Sequence, residues 1–392
     1  MKHFSHLNTA AKILTSYKGQ QPFGLFIKDF FKGEKKYGSR DRKQIAHLCY
    51  CYFRLGKALT QLPVEERIVL GLFLSSSAPV DLLQLLKPEW NQHVGLPVSE
   101  KNKITGHSFS SAAIFPFEHP ISEGLDREEF ALSHLRQPDL FIRLRPGHET
   151  QVEQKLGIAD IKYQKESGNC LALPNGTKIE NILQLNKEAV VQDLNSQRVG
   201  EFLQLVKQDR KAENQGMKVW DCCAASGGKS IMAVDILDLI ELSVSDIRES
   251  ILFNLRRRFE EAGIKNYHSF VSDLSSANYQ GSGETYELII ADLPCSGSGT
   301  WGRTPEQLYY FQEERIEEYA ALQKRIVQQV VTSLSKGGYL LYVTCSVFKD
   351  ENEAIVDYLR QHCSLHLKKM ELFTGYDKKA DTLFAALLQR SL

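Results

Sequence analysis

Apolar positions recur at helical spacing through the first 95 residues. Leu7, Ala11, Leu14 and Tyr17 share one face, and Ile45, Leu48, Tyr52 and Leu55 share another, with Ser39 in place as an N-cap. The period then lapses. Residues 96–120, "LPVSEKNKITGHSFSSAAIFPFEHP", are rich in Pro, Ser and Gly and predict a linker, taken to extend over 96–137. A small α/β unit follows over 138–210: "LFIRLRP" as a strand, "HETQVEQKLG" as a short helix and "NCLALP" as another strand. From 211 to 392 strands alternate with helices. "MKVWDCC", "LSVSDI", "YHSFVSD", "YELIIADLP" and "GYLLYVTCS" are the strands. "RESILFNLRRRFEEAG" is a helix ending at Gly263. One long helix is predicted with Leu308, Phe311, Tyr319, Leu322, Ile326, Val330 and Leu334 on its buried side, and the tail supplies two closing strands. The order predicts an α/β fold class with a doubly wound sheet that takes its ligand at the C-terminal strand ends.

Composition narrows the class only a little. At 392 residues the chain is long enough for two or three domains. No apolar run is long enough to span a membrane. The start, "MKHFSHLNTAAKIL", lacks the apolar core of a signal peptide, so a cytoplasmic protein is expected. The eight cysteines include no C-x-x-C pair, which argues against zinc, and free thiols are expected. Net charge is zero, yet residues 1–60 carry twelve Lys and Arg against three acids, a local +9. Such an end can hold phosphate or can be a solvated helical surface, and charge alone does not separate the two.

The candidate chemistry lies in the alternating region. The first strand runs into "DCCAASGGKS", where small residues bring backbone close to a ligand at a helix start. A dinucleotide site needs G-x-G-x-x-G, which is absent. A nucleotide P-loop is matched by Gly228, Lys229 and Ser230, but Cys223 stands where its first glycine belongs. S-adenosyl-L-methionine carries no phosphate and tolerates a looser loop. Three acids favour it. Asp246 closes the second strand and is placed for the ribose hydroxyls. Asp273 closes the third, placed for the adenine amino group. Asp292 closes the fourth, beside the reacting groups. Taken singly, such aspartates are ordinary turn residues.

Two thiols follow strands at this rim: Cys295 in "ADLPCSGSGT" and Cys345 in "LYVTCSVFKDENE". A thiolate is a nucleophile, and Lys229 is a basic neighbour able to stabilise one. Methylation of a pyrimidine at C5 joins the two chemistries. Thiolate addition at C6 makes C5 an enamine-like nucleophile, and a carboxyl group near N3 stabilises the charge that develops. The residues alone leave open which thiol attacks.

"DCCAASGGKS", the "SD" at Asp273, "DLPCSGSGTWGRTPE", "YVTCSVFKDENE" and the upstream "VVQDLNSQ" together resemble the NOL1/NOP2/Sun family of RNA cytosine-C5 methyltransferases, over roughly residues 138 to 392. The resemblance implies a class I methyltransferase-like sheet using S-adenosylmethionine over 211–392. It implies that the stretch 138–210, around "FIRLRP", is an RNA-binding subdomain. It nominates the Thr-Cys-Ser thiol, Cys345, as nucleophile, and gives Cys295 a part in breaking down the adduct. Lys229 and Asp292 match active-site positions. Cys223, Ala224, Ala225, Ser226, Gly227, Gly228 and Lys229, with Asp246, Asp273 and Asp292, match the methyl-donor site. The stretch "GSRDRKQIAHLCYCYFRLG" is similar to the NusB-like helical domain that precedes this core in bacterial relatives, which makes 1–95 an expected RNA-binding domain.

Two departures stand out. Ser226 occupies a position where the family usually has proline, and the C-terminal motif reads Asp381, Thr382, Leu383, Phe384 in place of Asp-Gly-Phe-Phe. The expected function is an RNA methyltransferase with RNA as partner, ribosomal RNA first and transfer RNA second, acting as a monomer without metal or membrane. A non-catalytic RNA-binding or assembly factor on the same fold is the competing class.

Overall fold

The computed structural model describes every residue except 1, 35, 108, 211–215, 277, 278, 280 and 282. Lys35 of the basic end therefore lies outside the described residues, as does the side chain of Lys2. The chain forms two compact units. One comprises Met1–Glu118, Asp126–Gln137 and Thr300–Glu313, the other His119–Leu125, Pro138–Gly299 and Glu314–Leu392.

The first unit is helical. Helices Lys2–Ser16, Phe23–Gly33, Ser39–Arg54 and Val64–Ser75 bury the expected residues, among them Leu7, Leu14, Ile45, Leu48 and Tyr52, and Tyr17 is buried just past the first helix. Ser39 is not the cap: Gly38 holds that place, and Ser39 is the first helical residue. The linker expectation also changes. Residues Val98–Thr105 are a helix entered through Pro97 and left through Gly106 at φ 71°. The proline and glycine that suggested a linker are thus the ends of a helix, where a fixed φ and a left-handed φ are each useful.

Segment Thr300–Glu313 belongs to this unit although the strand pattern assigned it to the catalytic region. Trp301 is buried there, its ring centroid 4.8 Å from Phe311 and 5.5 Å from Phe117. This packing breaks the long helix predicted from Leu308 to Leu334. Helix Pro305–Tyr310 stops where Phe311 turns to ψ 136° and buries its ring. A second helix runs from Arg315 to Thr332, and Leu334 already lies in a strand. Arg54, counted with the basic end, is buried. Its Nη1 donates to the carbonyls of His134 and Arg136 at 2.9 Å each and of Gly302 at 3.2 Å. Lys12, Lys18, Lys28, Lys32, Lys36, Arg40 and Lys43 are exposed.

The second unit holds two sheets. The small one contains β1 (Leu140–Leu144), β2 (Gln164–Lys165), β3 (Cys170–Leu173) and β4 (Ala189–Val191), ordered β2-β3-β1-β4 with antiparallel pairs. Ile142 and Leu144 of β1 pack with Val152 and Leu156 of helix Glu149–Ile158. β2, β4 and the helices Leu194–Arg198 and Gly200–Asp209 carry no strong sequence signal.

The large sheet contains β5 (Met217–Asp221), β6 (Ile240–Asp246), β7 (Tyr267–Val271), β8 (Tyr286–Asp292), β9 (Leu334–Thr344), β10 (Leu365–Phe373) and β11 (Leu383–Arg390). Their order is β10-β11-β9-β8-β5-β6-β7. β5 to β9 pair in parallel, and β11 runs against both its neighbours. Successive residues enter opposite cores. Leu288 and Ile290 face helices Gly200–Asp209, Gly228–Leu237 and Glu249–Glu261, while Ile289 and Ala291 face helices Arg315–Thr332 and Glu353–His362. Both faces are covered, as a parallel sheet requires. β5 lies between β8 and β6, so the chain winds one way and then the other from it. That reversal opens a crevice at the C-terminal strand ends.

Candidate active site

The loop after β5 is built by small residues in unusual conformations. Ala225 has φ 46° and Gly227 φ 82°. A Cβ on Gly227 would lie 2.7 Å from the Phe259 ring, so only glycine fits. The Ala224 N–H donates to the Ser245 carbonyl at 2.9 Å, and the Gly227 N–H to the Ala224 carbonyl at 2.8 Å. Helix Gly228–Leu237 then begins. At the end of β6, buried Asp246 accepts from the Ala225 N–H at 3.1 Å through Oδ2, and from Arg248 N–H and Nε at 3.0 and 3.1 Å through Oδ1. Asp273 lies just past β7. The Ser275 hydroxyl and N–H donate to its Oδ1 at 2.6 and 2.9 Å and hold its pKa below the usual carboxylate range.

A cleft of about 490 Å³ lies over these strand ends. Its walls include Cys223, Ala225, Asp246, Asp273, Asp292, Cys295 and Cys345. The sequence-predicted residues thus converge, with a division of labour. Ala224, Ser226, Gly227 and Gly228 are not in the cleft wall; they shape the loop that is. Lys229 approaches from below, its Nζ 2.6 Å from Asp292 Oδ2. Burial alone would pull the Lys229 pKa down, but the Asp292 carboxylate, with help from Cys345 and Asp221, raises it overall. Lys229 is therefore a fixed positive charge beside Asp292 of the cleft wall.

The P-loop alternative fails on the side chains. Ser230, which would have to meet a metal–phosphate, donates inward to Asp221 Oδ2 at 2.5 Å, and both residues are buried. Lys229 is committed to Asp292, and three carboxylates in the wall would repel a triphosphate. The same carboxylates suit a ligand with a ribose diol, an amino-bearing base and a cationic centre. Asp221 itself was missed by the sequence reading. Burial lifts its pKa to about 7, against the pull of the Ser230 hydrogen bond. Between the unfolded value of 3.8 and about 7 the folded state holds the extra proton, so stability falls as pH rises through that window. Asp221→Asn is expected to flatten the decline. Melting curves from pH 4.5 to 8 should show the variant gaining on the parent as pH rises, and parallel curves would contradict the assignment.

Cys295 and Cys345 meet, Sγ to Sγ, at 3.3 Å. The Cys295 thiol is pushed well above its ordinary pKa, first by its hydrogen bond to Cys345, then by burial and by negative charge on Cys345. The two thiol loops are laced together by groups the sequence reading did not single out. Buried Glu351 accepts from the Ser296 N–H at 2.7 Å, the Ser346 hydroxyl at 2.6 Å and Gln323 Nε2 at 3.2 Å. Ser298 Oγ accepts from the Val347 N–H at 2.9 Å, and the Gly299 N–H donates to the Cys345 carbonyl at 2.8 Å. Gly299 has no room for a side chain, since a Cβ would lie 1.9 Å from the Thr382 carbonyl. The altered C-terminal motif is part of the lacing: the Thr382 N–H donates to Gly299 at 2.9 Å, and the Asp381 N–H to Asp193 of "VVQDLNSQ" at 3.1 Å. "KDENE" beside the thiol motif was the available signal for Glu351. Gln323, a single polar residue on the buried side of its helix, gave none.

Residues 208–387 match the family described as 16S rRNA methyltransferase RsmB/F. The match takes in less than half of the chain, and the likeness applies to that stretch. The match bears out the resemblance carried by the paired cysteine motifs. Among curated relatives, ribosomal RNA small subunit methyltransferase B of Photorhabdus laumondii is 30% identical over 184 residues, covering 46% of this chain and 40% of that protein. The protein of the same name from Proteus mirabilis is 27% identical over 227 residues, covering 55% and 50%. The aligned part is thus half or less of each relative's own length. Among solved structures, PH0851 superposes with a TM-score of 0.71 at 18% identity, covering 99% of this chain and 98% of that one. NSun6 from Pyrococcus horikoshii with SFG does so with a TM-score of 0.57 at 15% identity, covering 69% and 96%. Both likenesses concern the fold. In the RsmB/F stretch of this chain lie β5 to β10, both thiols, Lys229 and the three wall carboxylates.

Proposed function

We propose that the protein is an S-adenosylmethionine-dependent RNA cytosine-C5 methyltransferase acting on ribosomal RNA, with Cys345 as nucleophile. The observation that carries this reading is the pair of thiols 3.3 Å apart at one end of a cleft walled by Asp246, Asp273 and Asp292. S-adenosylmethionine supplies the methyl group when bound. Ala225 and Asp246 would hold its ribose, and Asp273 would meet the adenine amino group.

The chain's own residues divide the remaining work. Cys345 Sγ, as its thiolate, bonds to C6 of the cytosine, and the electron pair pushed toward N3 is stabilised there by the proton shared between Lys229 Nζ and Asp292. C5 then takes the methyl group and must lose its proton before the C6–S bond breaks and Cys345 leaves. Cys295 fits the late step. Its proton is held chiefly by the hydrogen bond to the Cys345 sulfur. Once that sulfur is bonded to carbon it accepts poorly and carries no charge, so Cys295 loses its proton to water in the cleft more readily, and the resulting thiolate can take the proton from C5.

The direct test is bisulfite sequencing of ribosomal RNA incubated with the protein and S-adenosylmethionine. Cytosines protected only when both are present support the reading, and none would contradict it. Asp246→Ala is expected to weaken methyl-donor binding by about 1.5–3 kcal/mol, roughly 10- to 150-fold, because a partly shielded charge-assisted contact is lost. Calorimetry reads this, and unchanged affinity in a folded variant would place the ribose elsewhere.

The helical unit supplies phosphate contacts in this reading. Deleting residues 1–95 would orphan the carbonyls held by Arg54, so substitution is the cleaner test. Replacing Lys12, Lys28, Lys32 and Lys36 by Gln is expected to lower the slope of log affinity against log salt by roughly 2–3. An unchanged slope would make that face a solvated surface.

A further inference from the structure

The donor loop has an external brace. Ser226 sits between the left-handed residues Ala225 and Gly227, and its side chain points away from the cleft. Arg258 Nη1 donates to both its carbonyl at 2.8 Å and its hydroxyl at 2.7 Å. Arg258 belongs to helix Glu249–Glu261, whose Phe259 and Leu255 lie directly against Gly227. The same helix therefore fixes two successive loop residues, one by packing and one by hydrogen bonds.

The guanidinium is aimed by the small sheet. Its Nε donates to Asn186 Oδ1 at 3.0 Å. Asn186, buried at φ 64°, has each of its polar groups engaged. Its N–H donates to the Ala189 carbonyl at 2.8 Å, its Nδ2 to Glu261 at 2.6 Å, and its carbonyl accepts from Arg145 at 3.0 Å. Arg145 also donates to the Ala262 carbonyl at 2.6 Å, at the end of that helix. The turn before β4 is thus fastened to the last turn of helix Glu249–Glu261, and Arg258 reaches from that fastened turn to the donor loop.

We propose that Arg258 is a positioning residue for methyl-donor binding, held in its working orientation by Asn186 of the small α/β unit. The proposal rests on the donor site argued above. Without the brace, the loop leaves the conformation that places the Ala225 backbone and Asp246 along the cleft. Donor affinity then falls while the thiols, fixed by Glu351, keep their geometry. The effect should appear in the donor KM and not in kcat at saturating donor.

The experiment measures S-adenosylmethionine binding by calorimetry, with donor KM and kcat on ribosomal RNA, for the full chain and three variants. Arg258→Gln should weaken donor binding about 10-fold, the scale of losing a charged hydrogen-bond fork, with kcat within about 3-fold of the parent. Arg258→Lys restores a charge without the fork and should recover part of the loss. Asn186→Gly keeps the backbone contacts and tolerates the positive φ, so it removes only the amide; it should weaken donor binding about 3-fold. Melting temperatures identify any variant that has lost its fold, and Asn186→Gly keeps the test decisive if Arg258→Gln does so. Parent-like donor affinity in folded Arg258→Gln, or a loss confined to kcat, would overturn the proposal. Failure of the parent itself to bind S-adenosylmethionine would instead overturn the donor-site reading on which it rests.

Discussion

Cys345→Ala is expected to abolish turnover, by about 10⁴-fold or more, since a covalent nucleophile has no substitute in the cleft. Cys295, 3.3 Å away, is needed as the base for C5, and one thiol cannot be both nucleophile and base in the same turnover. Cys345→Ser should be as inactive, since a hydroxyl ionises far less readily than a thiol. S-adenosylmethionine affinity should be nearly unchanged, as the donor's recognition groups lie along β6 and β7. Cys363, remote from the cleft wall, serves as control, and Cys363→Ala should leave turnover at the parent level. Methyl transfer to RNA at saturating donor measures all three. Substantial turnover in Cys345→Ala would remove it as nucleophile.

Glu351→Ala should be among the most destabilising single substitutions in the second unit. The carboxylate is fully buried, and its loss strands the Ser296 N–H, the Ser346 hydroxyl and Gln323 Nε2. Each stranded donor costs about 1–2 kcal/mol, so roughly 3–6 kcal/mol is expected, a melting-temperature fall on the order of 10 °C. Burial raises the Glu351 pKa against the pull of these same donors. Between the ordinary value near 4.5 and the raised one, the folded state holds the extra proton, so stability declines as pH rises through that interval. Glu351→Gln should lose less than Glu351→Ala, since its amide oxygen can still accept from one side. Its amide N–H groups then face the other donors. Thermal melts would measure both variants. A Glu351→Ala protein with parent stability would mean the two thiol loops are held by something else.

The parts legible in the sequence were those with a strong local rule. β5, β6, β8 and β9 read as apolar runs because both faces of a parallel sheet are buried, and Asp246 and Asp292 end theirs because polar groups are needed where the strands leave the core. The two thiols were legible as motifs. Their contact was not, because the fifty residues between them pass through both units. The long helix from Leu308 failed for a related reason. Apolar spacing runs straight through 311–314, but burying Phe311 beside Trp301 outweighs continuing the helix, and no local signal reports a tertiary contact. Pro97 and Gly106 suggested a linker because composition does not distinguish the ends of a helix from a loop. Arg258 and Asn186 were invisible for the plainest reason: exposed-looking Arg and Asn residues are common, and only the fold brings these two to the donor loop.

The order of events at the two sulfurs is the central claim, and a denaturing gel of labelled substrate RNA with Cys345→Ala, Cys295→Ala and the parent tests it most directly. With S-adenosylmethionine present, Cys295→Ala should accumulate a protein–RNA adduct that survives denaturation, since addition and methyl transfer proceed while release of Cys345 stalls. Cys345→Ala should form none, and the parent only traces. An adduct with Cys345→Ala and none with Cys295→Ala would reverse the roles of the two thiols. No adduct with either, alongside near-parent turnover in both, would remove thiol catalysis from the mechanism.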